Sequence, residues 1–391
     1  MLHCNSNFGG NNPIYLDYNA TTPLSDGVKA IIVETLEVWG NPSSDHLYGK
    51  LAKDIVDRSR RYVADMIDTT EDKVFFTSGG TEANTWIIWN TLFGDEGNIV
   101  ASSVEHPSIK LTLEEYKEKK LIDVKYIKMN GGIIDLKDLE EKIDKKTKMV
   151  TVMLANNETG VIQPIKEMCE IVRKKEKEMG TKIIIHTDGA QIIGKCKVSI
   201  NNLGVDCMTI VGHKFYAPKI GALVIAPNSD IKLNPMLVGG GQERNMRSGT
   251  ENVPMIAGFG HGCLEVTQTI DNVNEHLLRL QKYFENKIYE ALGDSITINF
   301  SPYDRIPNTS SVCFKRLKMP STELLKVCRQ FVASVGAACH SGNLDSCVMM
   351  ACGMSERDAK RCVRFSFGKQ TTFEELDVAI GNILENIPAL V

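Results

Sequence analysis

Three short stretches of this chain carry residues whose types and spacing could do chemistry. The first is Phe75-Phe76-Thr77-Ser78-Gly79-Gly80-Thr81-Glu82-Ala83, an apolar strand passing through a glycine turn into a helix that starts near Thr81. Free N–H groups at a helix N-terminus, with a hydroxyl beside them, suit an anion such as phosphate. A tight turn into an ordinary capped helix explains the same residues. The second is Ile183-Ile184-Ile185-His186-Thr187-Asp188-Gly189-Ala190-Gln191, with the Asp188 carboxylate at a strand end and the Gln191 amide three residues on. A carboxylate buried there is costly unless a cation or metal pairs with it, and a helix cap is the plainer alternative. The third, 26 residues beyond Asp188, is Thr209-Ile210-Val211-Gly212-His213-Lys214. Desolvation lowers a lysine's pKa and frees its amine as a nucleophile. The apolar flanks of Lys214 argue against a plain surface lysine.

Together the three supply an anion cradle, a partner for a protonated ring nitrogen and an amine for a Schiff base. That is what pyridoxal phosphate requires of a protein.

The elements that must position them follow from hydrophobic patterning. Short apolar runs ending in polar residues recur at Val74–Thr77, Val124–Ile127, Met149–Leu154, Ile183–His186, Met208–Val211 and Ala222–Ile225. Helical spacing of apolar residues covers Gly27–Trp39 and the segment around Leu51, Ile55, Tyr62 and Met66, and the charged stretches Leu113–Lys120, Leu136–Lys146 and Glu167–Lys177 read as solvated helices. Strands too apolar to alternate, spaced by helices, predict an α/β domain with a mostly parallel, doubly covered sheet. Ligands bind beyond the carboxyl ends of such strands, where the three motifs lie. From about His261 the pattern changes to a long helix through Tyr289 and strands at Ile296–Phe300 and Thr309–Phe314. The expectation is a large domain over 15–260 and a smaller α+β domain over 261–391, with residues 1–14 as an arm.

Composition bounds the function. The 391 residues hold 45 Lys+Arg against 49 Asp+Glu, a net charge of −4, so electrostatic binding to nucleic acid is not expected. A content of 42% hydrophobic and 24% charged residues excludes a disordered chain. No run approaches the ~18 apolar residues of a membrane span, and residues 1–16 lack both a signal peptide's apolar core and a transit peptide's arginines. The 11 cysteines are odd in number and include no CxxC pair, so neither a disulfide framework nor a metal site is expected. A cytosolic enzyme is the resulting expectation.

Further motifs follow in order: Tyr15-Leu16-Asp17-Tyr18-Asn19-Ala20-Thr21-Thr22-Pro23, Gly40-Asn41-Pro42-Ser43-Ser44, Glu105-His106, Asn156-Asn157-Glu158-Thr159-Gly160 and Arg364-Phe365-Ser366-Phe367-Gly368. With the three above, this series resembles the NifS-like group of fold-type-I pyridoxal-phosphate enzymes, the cysteine desulfurases and selenocysteine lyases, from about Tyr15 to Ile387. Within the group, Ala333–Ser341, Thr209–Lys214 and Gly239-Gly240-Gly241-Gln242-Glu243-Arg244-Asn245 look most like the selenocysteine lyases. Desulfurases usually carry a Gly-Ser-Ala-Cys-type segment where this chain has Gly336-Ala337-Ala338-Cys339-His340. Many of them also have a phosphate-contacting serine where this chain has Val211.

The resemblance implies roles. Lys214 is the Schiff-base lysine and moves the Cα proton. His106 stacks on the ring, Asp188 pairs with its nitrogen, and Gln191 and Asn157 sit near its hydroxyl. Thr81, the Gly80 backbone and His213 hold the phosphate, joined by Thr250 from a neighbouring subunit of a homodimer. Arg364, with Asn157 and Asn19, receives the substrate. Cys339, among small residues, brings a thiol to the chalcogen. The implied reaction converts L-selenocysteine to L-alanine and reduced selenium, with a selenium acceptor protein as a candidate partner; the alternative is a desulfurase that carries a persulfide on Cys339.

Overall fold

A computed structural model describes residues 12–336 and 347–389. Its centre is a seven-stranded sheet in the spatial order Val74–Thr77, Gly221–Ile225, Cys207–Val211, Ile184–Asp188, Thr147–Thr151, Asn98–Ser102 and Asp123–Ile127. Gly221–Ile225 runs antiparallel to both neighbours, and every other pairing is parallel. The expected mixed, mostly parallel sheet of a fold-type-I enzyme is therefore present. Its inner strands are buried on both faces, so they read as apolar runs rather than alternation. All six expected runs coincide with strands within two residues at their starts, although the strand under Met149–Leu154 ends at Thr151. Asn98–Ser102 escaped the reading, because its polar ends leave only three apolar residues between them.

Apolar side chains cover both faces of the sheet. One face packs Val56, Val63 and Ile67 of the helix Leu47–Ile67 and Met168 and Val172 of Ile165–Met179. The other packs Trp86 and Ile87 of Gly80–Asn90 with Ile109 and Leu113 of Pro107–Glu118. Val56, Val63 and Ile67, Met168 and Val172, and Ile109 and Leu113 recur at intervals of four or seven, which puts each set on one helix face. The helix expected over Gly27–Trp39 stops at Thr35; Trp39 is 75% exposed and stacks on Tyr48.

A second core surrounds the antiparallel sheet Ile296–Ile298, Thr309–Phe314 and Cys362–Ser366. The helix Val253–Leu292 serves both units: Val253, Ile256 and Phe259 lie in the first core, and Leu277, Leu280 and Phe284 in the second. It starts eight residues before the expected His261, since Pro254 fits a first turn, where its missing N–H costs nothing. The chain enters along the second unit, where Ile14–Tyr15 runs parallel to Phe331–Val332 and Leu16 is fully buried. The following turn therefore lies between the two units.

Candidate active site

The strands Ile184–Asp188 and Cys207–Val211 end side by side, Val74–Thr77 ends at the same edge beyond Gly221–Ile225, and the residues that follow close around a cavity of about 290 Å³. Gly80, Thr81, His106, Asn157, Asp188, Gln191, His213 and Lys214 all line it. Sequence-distant motifs meet there because parallel strands present the same end to one side.

Lys214 closes a single turn, Gly212–Lys214, and its Nζ donates to the carbonyls of Asn19 (2.7 Å) and Ala20 (2.8 Å). The same entry loop grips the lysine turn through Thr22, whose N–H donates to the His213 carbonyl at 2.8 Å and whose Oγ accepts from the Tyr216 N–H at 2.6 Å. Tyr216 is held at φ 67°, a left-handed conformation that a bulky side chain adopts only under outside constraint. His213 bonds Thr21 Oγ at 3.1 Å, and burial, then the nearby Lys214 charge, push its pKa down to about 4. It is therefore neutral at pH 7.

Asp188 is buried, and its oxygens accept from the Ala190 N–H and from Asn84 Nδ2, both at 2.9 Å. Among the described residues no lysine or arginine forms an ion pair with it. Asn84 also donates to Ser108 Oγ at 2.9 Å, and that hydroxyl lies 2.8 Å from His106 Nδ1. His106 is held further as the cap of Pro107–Glu118. Asn84 thus links the ring-stacking and ring-pairing candidates, a role that sequence reasoning missed. An asparagine on the face of a helix that buries Ala83, Trp86, Ile87 and Ile88 was the available signal.

These residues fit pyridoxal phosphate. A buried carboxylate without a cationic partner among the described residues suits a protonated ring nitrogen. The Oδ1 of Asn84 is buried and lacks a partner. Helix Gly80–Asn90 begins after Gly79, which has no side chain to cap its first N–H groups, so they remain available to an anion. A side chain at Gly80 would put its Cβ 2.5 Å from Val211 Cγ2. Only glycine lets the helix end lie against that valine.

Other nominated residues lie elsewhere. The Asn19 side chain is spent internally, on the Asn157 carbonyl, Thr309 Oγ and Asn308 Nδ2, and does not line the cavity. Its backbone carbonyl instead holds Lys214. Arg364 is 4% exposed, with Nη2 paired to Asp17 at 2.5 Å, Nη1 donating to the Asn157 carbonyl at 2.8 Å, and Nε buried without a partner. Thr250 is exposed and does not line the cavity within this chain. Its loop is anchored by a buried fork between Arg60 and Glu243, at 2.6 and 2.7 Å, and by the Arg247–Glu82 pair. Cys339 lies outside the described residues.

Two buried ionisable groups flank the site with opposite signs. Burial pushes Glu105 up to about 8, although Ser102 Oγ and the Met153 N–H donate to it. Its carboxyl stays protonated in the folded chain up to that pH and ionises near 4.5 when unfolded, so its stabilisation is lost as pH rises across that window. Glu105→Gln carries no such proton, and its melting temperature relative to the parent should rise from about pH 5 to 8. Parallel curves would contradict this. Lys195 was missed by sequence reasoning: its Nζ is buried, donates to the Gln191 carbonyl at 2.7 Å, and is pushed down to about 7 by burial and then by the Lys214 charge. Its stabilisation is lost as pH falls from 10.5 toward 7. Lys195→Met should therefore gain melting temperature on the parent as pH falls, the reverse of Glu105→Gln; a constant offset would disprove it.

Comparison with known proteins places this geometry. The model of the aminotransferase class-V family matches residues 14–378. The selenocysteine lyase of Rattus norvegicus is 37% identical, over 97% of this chain and 95% of its own length. The mitochondrial cysteine desulfurase of Saccharomyces cerevisiae is 36% identical, over 97% of this chain and 76% of its own. A solved NifS-like protein superposes with a TM-score of 0.87 at 31% identity, covering 97% of this chain and all of that one. With the family model matched along nearly its whole length and such relatives beside it, this chain belongs to the class-V aminotransferase family.

Proposed function

We propose that this protein is a selenocysteine lyase that uses pyridoxal phosphate to convert L-selenocysteine to L-alanine and reduced selenium. The observation that carries it is the convergence of Lys214, Asp188, His106 and the uncapped helix end at Gly80 on one cavity. The choice of selenium is supported by 37% identity to the rat selenocysteine lyase over nearly both full lengths.

When bound, pyridoxal phosphate supplies an electron sink conjugated to the substrate Cα. Asp188 keeps the proton on the ring nitrogen, and Asn84 fixes the orientation of that carboxylate. Thr81, the first N–H groups of the Gly80 helix and neutral His213 would hold the phosphate. His106 would hold the ring, and Gln191 and Asn157 would serve its hydroxyl. Arg364 binds the substrate carboxylate through Nε, the donor that its bonds to Asp17 and the Asn157 carbonyl leave open. Lys214 takes the proton from Cα. Cys339, nominated by the sequence, brings a thiol to the chalcogen. Exposed Thr250 completes the phosphate site of a second copy, making a homodimer with shared sites. The proposed setting is the cytosol, with reduced selenium passed to an acceptor protein; among the described residues no helix is long and apolar enough to cross a membrane.

The deciding experiment measures alanine release by the cofactor-loaded protein from L-selenocysteine and from L-cysteine, separately, under reducing conditions. Turnover of selenocysteine with little or none of cysteine is expected. Comparable turnover of cysteine, with persulfide trapped on Cys339, would make the protein a desulfurase instead.

A further inference from the structure

The small sheet holds two thiols that the cavity does not use. Cys313, near the end of Thr309–Phe314, lies directly opposite Cys362, the first residue of the antiparallel strand Cys362–Ser366. Opposite residues on antiparallel strands have Cα atoms about 4.5–5.5 Å apart, inside the span that a disulfide bridges. Both are free thiols. They converge on one acceptor: the Asp358 carbonyl is 3.6 Å from Cys313 Sγ and 3.2 Å from Cys362 Sγ. Their surroundings differ. Cys313 opens onto a pocket of about 420 Å³ whose wall carries Lys315, Arg357 and Arg361 against one carboxylate, Asp358. Cys362 lies behind it, with Asn299 Nδ2 and Met354 Sδ at 3.2 and 3.5 Å from its sulfur.

We propose that Cys313 and Cys362 form a dithiol site that exchanges with anionic low-molecular-weight disulfides, Cys313 attacking and Cys362 resolving. The cationic wall selects an anionic partner. The thiolate of Cys313 attacks one sulfur of the incoming disulfide, whose S–S bond breaks, and the departing thiolate takes the proton that Cys313 has released. The Cys362 thiolate then attacks Cys313 Sγ, expelling the second thiol, which takes the proton from Cys362. One small-molecule disulfide is reduced to two thiols, and the protein dithiol is oxidised to one disulfide.

Electrostatics support this order. Contact with the Cys362 thiol, helped by Arg361 and Lys315, holds Cys313 below the usual thiol range despite its burial, whereas the same contact and burial raise Cys362. A thiolate-favouring, pocket-facing cysteine beside a resolving partner is the arrangement of reactive thiols. Cys169, Cys207 and Cys263 are instead pushed up by burial. The cross-link would sit two residues from Arg364, and so would tie the redox state to the strand that carries it.

The test treats the reduced full-length protein with glutathione disulfide, quenches with acid, alkylates, and maps the cysteines by mass spectrometry. A Cys313–Cys362 cross-link is expected in the parent, and one retained glutathione on Cys313 in Cys362→Ser. Arg357→Glu, an exposed change on the pocket wall, should slow the reaction with glutathione disulfide about tenfold, while reaction with uncharged hydroxyethyl disulfide keeps its rate. Failure of the parent to cross-link, or a Cys362→Ser protein with no glutathione on Cys313, would overturn the proposal. Equal slowing with both disulfides would overturn the anionic specificity. Melting curves of each variant separate these results from misfolding.

Discussion

Lys214→Ala is expected to lower alanine release from L-selenocysteine by at least about 10³-fold, the scale for losing a positioned proton-transfer group together with its binding role. The Lys214 amine lines the cavity and is steered by the Asn19 and Ala20 carbonyls, which fix where it can reach. Alanine leaves that space without the amine assigned to take the Cα proton. Lys214→Arg separates chemistry from charge: guanidinium keeps a cation near the two carbonyls but does not release a proton in the working pH range. Both variants should be comparably inactive. Melting curves should show a folded protein in each case, because the lysine turn is also held through Thr22 and Tyr216. A Lys214→Arg protein within tenfold of the parent would remove the lysine from the reaction.

Arg364→Ala should show the second largest effect, through two separable losses. The first is stability. Asp17, whose side chain is 19% exposed, would keep its carboxylate without its partner, at a cost below the about 3–5 kcal/mol of breaking a fully buried ion pair. The second is substrate recognition, a rise in KM of about 10²-fold, since truncating one member of a buried, hydrogen-bonded charge pair costs about 2–5 kcal/mol. The orphaned Nε of Arg364 is a donor still available to an incoming carboxylate. The double variant Asp17→Asn, Arg364→Ala tells the two losses apart. Stability should recover, because no stranded charge remains, while KM stays high. Recovery of KM together with stability would mean that Arg364 serves only the junction between Asp17 and Asn157.

Much of the fold was legible because its signals are local. A strand covered on both faces is mostly apolar, so Val74–Thr77 and Cys207–Val211 stood out, while Asn98–Ser102, with polar ends, did not. The long helix was legible in its middle but not at its start, since Val253 and Ile256 join a core whose other members lie far off in the chain.

The same division holds at the site. By itself the sequence determined the chemical inventory: an amine after one strand, a carboxylate and an amide after another, a glycine opening on a helix after a third. Those are properties of adjacent residues. Only the tertiary structure decided which of them share a cavity, and it added partners no spacing could announce. Asn84 reaches Asp188 across 104 positions, and Arg364 reaches Asp17 across 347. It also turned the Asn19 side chain inward and left its carbonyl to hold Lys214. A side chain's type is written locally, but its burial and its hydrogen-bond partners depend on which distant segments pack against it.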